Sequence, residues 1–268
     1  MQPDEVYDRM AAADHPLCRP AVAEDLKNPL PILDPLGWLS DSIRGQNVLC
    51  LAAGGGKHGV MYAAAGATVT VVDISAAMLQ HDLRASQQFG LQVRRVQASM
   101  DDLSMLSPAS FDIVVHPVST CYVPEIRPVF DAVATVLRPG GLYVSQHKTP
   151  TSLQASIHRG PDQQFNLRHS YYRRQPIPPL PAEESQSSAG RRLREPGATE
   201  YLHRWEQIVG GICRAGFVIE DLVEPYHAGD PDQPPSITQE PFRDRCQHIA
   251  PYVRIKARRT GDRGLVLG

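Results

Sequence analysis

Three groups of residues in this 268-residue chain have types and spacings that could do chemistry. The first is the run Val48-Leu49-Cys50-Leu51-Ala52-Ala53-Gly54-Gly55-Gly56-Lys57-His58-Gly59, an apolar strand followed by a glycine turn and a helix start. Glycines at such a turn let the backbone pass close to a ligand without a Cβ clash. The helix start then offers free N–H groups to polar ligand atoms. The second is Asp73, which closes the next strand-like run. A carboxylate there can accept hydrogen bonds from both hydroxyls of a ribose, so turn and acid together suit an adenosine. The third is a pair of histidines, His116 and His147, each ending an apolar run. Reactive groups in open α/β sheets gather at the carboxyl ends of strands. His116 is the catalytic candidate, as a general base. The competing reading is a histidine that makes a backbone hydrogen bond beside Pro117 and only shapes the pocket. His203 reads as a packing or capping residue, and Trp205 as part of a core stripe. Tyr122, Tyr171, Tyr172, Tyr226 and His227 could line a pocket or lie on the surface.

The elements that must position these residues follow from the pattern. Asn47–Leu51, Thr68–Val72, Gln92–Gln97, Phe111–Val115 and Leu142–Gln146 read as strands. His58–Ala65 reads as a helix, and Ser75 as the N-cap of another that runs to Gln88 and stops at Gly90. Val129–Leu137 is a third helix, with Pro128 in its first turn and Arg138-Pro139-Gly140-Gly141 as the turn that ends it. Alternation of this kind implies a parallel sheet covered by helices on both faces. Later, Leu202, Trp205, Ile208, Val209 and Ile212 recur at helical spacing up to Gly216, and Phe217–Val223 and Tyr252–Ala257 read as two more strands.

The glycines alone leave the cofactor open. Gly54, Gly56 and Gly59 satisfy the dinucleotide pattern G-x-G-x-x-G, so an NAD(P)-dependent oxidoreductase is an alternative at this point. The segments VLCLAAGGG, VVDIS, QASMDDL, FDIVVHPVS and VLRPGGLYV, in this order and spacing, resemble the class I S-adenosylmethionine-dependent methyltransferases, most closely a small-molecule subset. The likeness covers about 45–148 well, and YLHRWEQIVGGICRAGF and the strands after it moderately. It implies a Rossmann-like, seven-stranded, mostly parallel sheet with an antiparallel C-terminal strand. It implies S-adenosylmethionine as cofactor and methyl transfer to an O, N or C atom of a small metabolite. Carried over by position, Ala52, Ala53, Gly54 and Gly56 would line the methionine and ribose portion, and Asp73 would bind the ribose. Ile74, Met78, Ser99, Met100 and Asp101 would surround the adenine, with His116, Pro117 and Val118 near the sulfonium. Two departures stand out: Cys50 where the family often has an acid, and Ser99 where it has an aspartate. They keep a non-catalytic S-adenosylmethionine-binding protein as a second alternative.

The remainder bounds the answer. One domain is expected, with 1–40 as a helical and irregular cap, 41–148 as the cofactor-binding core, 149–199 as an insertion and 200–268 as a helix and hairpin. Gln175–Gly197, rich in Pro, Ser and charge, reads as a mobile loop, either a lid or plain disorder, and the N-terminal cap and the 149–199 insertion are expected to cover the substrate mouth. A net charge of −2 gives no basic excess for nucleic acid. Cys18, Cys50, Cys121, Cys213 and Cys246 contain no C-x-x-C pair, so neither a zinc site nor a disulfide framework is indicated. No apolar stretch is long enough to span a membrane, and a cytoplasmic protein is expected.

Overall fold

The computed structural model describes residues 3–12, 18–229, 232 and 240–261. The remaining positions, parts of the expected cap and C-terminal segment among them, lie outside the described residues. The chain opens with helix α1 (Pro3–Ala12) and the short α2 (Pro29–Leu33). Strand β1 (Asn47–Leu51), helix α3 (His58–Ala64), β2 (Thr68–Asp73), α4 (Ala76–Gln88) and β3 (Val93–Gln97) follow, then β4 (Phe111–His116), α5 (Arg127–Val136) and β5 (Leu137–Lys148). Three short helices come next, α6 (Pro150–Gln154), α7 (Ala182–Gln186) and α8 (Ser188–Leu193). Helix α9 (Trp205–Arg214), β6 (Phe217–Val223), α10 (Pro241–Cys246) and β7 (Tyr252–Arg259) complete the order.

The seven strands form one sheet in the order β3-β2-β1-β4-β5-β7-β6. The pairs β1/β2, β2/β3, β1/β4 and β4/β5 are parallel, whereas β7 runs antiparallel to both its neighbours. Strands with period-2 alternation, buried on both sides, explain the continuous apolar runs. Val48 and Cys50 face one layer with Tyr62 of α3 and Leu79 of α4. Leu49 and Leu51 face the other, with Phe130 and Val133 of α5 and Ile208 and Ile212 of α9. The chain leaves β1 toward β2 on one side, while β4 returns on the other. That reversal opens a crevice beyond the carboxyl ends of β1 and β4, where the ligand is expected to sit.

Local chemistry sets the boundaries. The Ser75 side chain accepts from the Met78 N–H at the start of α4, and Gly90 ends the segment with φ +65°. Helix α5 begins two residues before the expected position. The Arg138-Pro139-Gly140-Gly141 segment differs from the expected turn: it lies inside β5 as an irregularity, with Phe111 opposite Leu137 and Ile113 opposite Leu142. Gly140 makes this possible at φ +78°.

The segment expected as a mobile loop is built differently. It holds α7 and α8, the latter capped by Ser187, and Ile177 pairs through its backbone with Glu200. Ala189 and Leu193 pack with Ile157, Phe242 and Cys246. The sequence pattern hid this because the helices are too short for a periodic signal and their anchors lie far along the chain. No helix among the described residues is long and apolar enough to cross a membrane.

Candidate functional site

A cavity of about 1070 Å³ opens at the carboxyl ends of β1, β2, β4 and β5. Its first half is built by the glycine turn. Ala52 adopts φ +48°, which redirects the chain as it leaves β1. The Gly54 N–H donates to Asp73 Oδ2 at 2.8 Å, and the Ser75 N–H donates to Oδ1 at 2.9 Å. A Cβ on Gly54 would lie 2.9 Å from both Asp73 Oδ2 and Met78 Cβ, so only glycine allows this approach. These two N–H groups use about two of the roughly four lone-pair sites of the Asp73 carboxylate. With the Ile74 N–H also acting on this carboxylate, capacity still remains to accept from a diol, and the residues present therefore fit an adenosyl group. Burial raises the Asp73 carboxyl above its ordinary range, against the pull of the Ser75 and Gly54 N–H groups.

Of the positions expected at the cofactor, Ala52, Ala53, Gly54, Asp73, Ile74, Met78, Ser99, Met100, Pro117 and Val118 line this cavity. Gly56, Asp101 and His116 do not. Gly56 is needed for packing: at φ +77°, a Cβ would meet the His81 carbonyl oxygen at 2.8 Å. Asp101 is exposed. His116 is buried, with Nδ1 2.8 Å from the Tyr143 hydroxyl and Nε2 2.6 Å from Ser119 Oγ. Both ring nitrogens are engaged, and burial pushes the imidazole down to about 3. The partners are side chains and not the backbone group expected beside Pro117, and of the two Ser119 lines the cavity. His147 is likewise bonded, to Thr120 and Ser145, and His203 Nε2 donates to the carbonyls of Thr120 and Val123. Trp205 packs against the core.

Cys50 is fully buried, and no carboxylate enters the turn from β1. One arrives from α4 instead. Asp82, fully buried, accepts the Gly55 N–H through Oδ2 at 2.9 Å, and its Oδ1 has no hydrogen-bond partner among the described residues. The signal was present in the sequence: Asp82 falls on the buried stripe of α4 with Met78, Ala85 and Ser86, where a charge needs a reason.

The second half of the cavity is lined by residues outside the motifs. Tyr7 from α1, Tyr122, Gln146, Glu195, His227, Phe242 and Tyr252 form its walls. Of the tyrosines and histidine considered for this role, Tyr122 and His227 reach the cavity, whereas Tyr172 and Tyr226 are exposed and Tyr171 accepts the Trp205 N–H. Helix α1 closes over the junction, where Asp8 Oδ1 accepts from Ser75 Oγ at 2.5 Å. Among the described residues no cluster of His, Cys, Asp and Glu could hold a metal ion.

Comparison with known proteins agrees with this geometry. A family model described as a methyltransferase domain matches residues 48–141. An uncharacterized methyltransferase of Bacillus subtilis, YbaJ, is 34% identical over 191 residues, which span 71% of this chain and 72% of that protein. A ubiquinone biosynthesis O-methyltransferase of Xanthomonas euvesicatoria is 30% identical over 141 residues, 50% of this chain and 59% of its own length. Among solved structures, an S-adenosylmethionine dependent methyltransferase from Mesorhizobium loti has the same fold, with TM-score 0.60, 20% identity and coverage of 87% and 100% of the two chains. A geranyl diphosphate C-methyltransferase from Streptomyces coelicolor has it too, with TM-score 0.57, 17% identity and coverage of 95% and 84%. The antiparallel β7 between β5 and β6 departs from the dinucleotide-binding order 3-2-1-4-5-6 and removes the oxidoreductase alternative. Strand order, glycine turn and relatives agree that the chain belongs to the class I, S-adenosylmethionine-dependent methyltransferase family.

Proposed function

We propose that the chain transfers the methyl group of S-adenosylmethionine to an O, N or C atom of a small metabolite held in the aromatic half of the cavity. The observation that carries this reading is continuity: a single cavity joins the Gly54–Asp73 turn to the wall of Tyr7, Tyr122 and Tyr252. Its volume of about 1070 Å³ is at the top of the roughly 300–1,000 Å³ of single-ligand pockets, which leaves room for cofactor and acceptor together. A relative named for O-methylation puts oxygen first among the acceptor atoms.

In this reading Asp73 accepts from the ribose hydroxyls, Ala53 and Gly54 lie along the methionine portion, and Ile74, Met78 and Ser99 border the adenine. Pro117, Val118 and Ser119 form the wall between cofactor and acceptor. When bound, the cofactor supplies a methyl group already activated by its sulfonium. The chain's task is then to fix the acceptor in line and keep water out, an alignment worth about 7–11 kcal/mol. Incubation with methyl-labelled S-adenosylmethionine and a panel of phenols, amines and carboxylic acids tests this. Label in a small product supports it. Tight S-adenosylhomocysteine binding with no transfer across the panel would instead favour a non-catalytic binding protein.

A further inference from the structure

The acceptor half of the cavity contains a polar network that cofactor binding leaves unused. Lys148, the last residue of β5, donates through Nζ to Glu200 Oε1 at 2.6 Å, to Glu195 Oε2 at 2.8 Å and to the Leu193 carbonyl at 2.8 Å. Arg194 pairs with the other oxygen of Glu200. Glu200 is therefore enclosed between two cations and fully buried, whereas Glu195 is on the cavity wall. The Tyr7 hydroxyl donates to the Tyr122 hydroxyl at 3.2 Å, and both rings line the cavity together with Glu195. The charges of Lys148, Arg194, Glu195 and Glu200 cancel, so the network asks for no further ion. Burial alone would raise the Glu195 carboxyl, but the Lys148 ammonium against it holds it below the ordinary carboxylate range. It is a fixed carboxylate with an open side.

Its position suits the reaction. Tyr122 lies in the short helical turn Thr120–Tyr122, directly after the Pro117–Ser119 wall, and Tyr252 is the cross-strand partner of Lys148. Tyr7 and Tyr122 meet edge to face with centroids 5.9 Å apart, and His227 is 5.8 Å from Tyr252 and 6.1 Å from Phe242. A flat ring is the shape such walls accept. A carboxylate ligand would be repelled by Glu195. The cavity wall carries Arg19, Lys57, Arg191 and Arg192 against Asp25, Asp73 and Glu195, so its charge as a whole does not call for an ammonium. A neutral O–H donor fits both conditions.

Resting on the methyl-transfer reading, we propose that Glu195 anchors the methyl acceptor by accepting a hydrogen bond from a hydroxyl on an aromatic ring, which Tyr7, Tyr122, Tyr252 and Phe242 flank. Ligand-observed NMR titrations of phenol and of benzoate into the full chain saturated with S-adenosylhomocysteine test this. Phenol is expected to bind about tenfold or more tightly than benzoate, the scale of a hydrogen bond to a charged acceptor. Glu195→Gln should weaken phenol about tenfold, narrow or reverse the preference, and leave S-adenosylhomocysteine affinity unchanged, while Glu195→Asp restores part of the phenol affinity. Benzoate binding as well as phenol to the wild type, no phenol binding, or phenol unaffected in a folded Glu195→Gln variant would each overturn the assignment. The wild-type comparison decides even if the variant does not fold. Failure of S-adenosylhomocysteine to bind the wild type strikes the methyl-transfer reading itself, and is seen before either ring is added.

Discussion

Removal of one buried charge, Asp82→Asn, should change how stability depends on pH. Burial raises the Asp82 carboxyl from 3.8 to about 7, opposed by the Gly55 and Gly56 N–H groups, with Asp73 adding to the rise and Arg95 working against it. A carboxyl whose folded pKa is raised holds its proton more tightly in the folded state. Its contribution is therefore complete below about pH 4 and is lost as pH climbs through about 7. The rise from 3.8 to about 7 corresponds to about 4 kcal/mol at 1.36 kcal/mol per pH step. Asparagine keeps an oxygen to accept the Gly55 N–H and carries no charge at any pH. Urea unfolding of both proteins across pH 4–9 gives the difference directly, since other titrating groups cancel. The variant should gain on the wild type by up to about 4 kcal/mol between pH 4 and 8, most of it before pH 7.5. A difference that is flat with pH would show that Asp82 is not a strained carboxylate and would refute the reasoning.

Two further outcomes are expected. His116→Ala should cost about 1–3 kcal/mol of stability in chemical denaturation, because it strands the Tyr143 and Ser119 hydroxyls. The wild-type kcat profile should show no imidazole inflection between pH 5 and 8, since burial holds His116 at about 3. Lys148→Met should destabilise the fold by about 3–5 kcal/mol in urea melts, because Glu195 and Glu200 would then share a buried space with Arg194 alone.

The nucleotide half was legible because its determinants are local. Thr68–Asp73 is a β-branched run, Gly54 must be glycine to approach Asp73, and Ser75 caps the helix it precedes. Each feature shows within a few residues of chain. The acceptor half was not, because it is assembled from distant segments. Tyr7 meets Tyr122 across 115 positions, and Lys148 meets Glu195 and Glu200 across 47 and 52. In sequence, Glu195 looks like a surface charge in a Pro- and Ser-rich stretch, and Glu200 follows just beyond it. Only the fold reveals that a buried lysine and arginine neutralise them. His116 illustrates the opposite limit: its place at the end of β4 suggested a base, but the chain order does not show that Tyr143 and Ser119 engage both of its ring nitrogens.

The claim beneath all of this is that the glycine turn and Asp73 grip one adenosyl group. Isothermal titration of S-adenosylhomocysteine into the wild type and into Asp73→Ala tests it most directly. The wild type should bind, NAD should not compete, and the variant should lose about 1–3 kcal/mol, the scale of hydrogen bonds to a charged acceptor. An unchanged dissociation constant in the variant, or equal affinity for NAD, would contradict it.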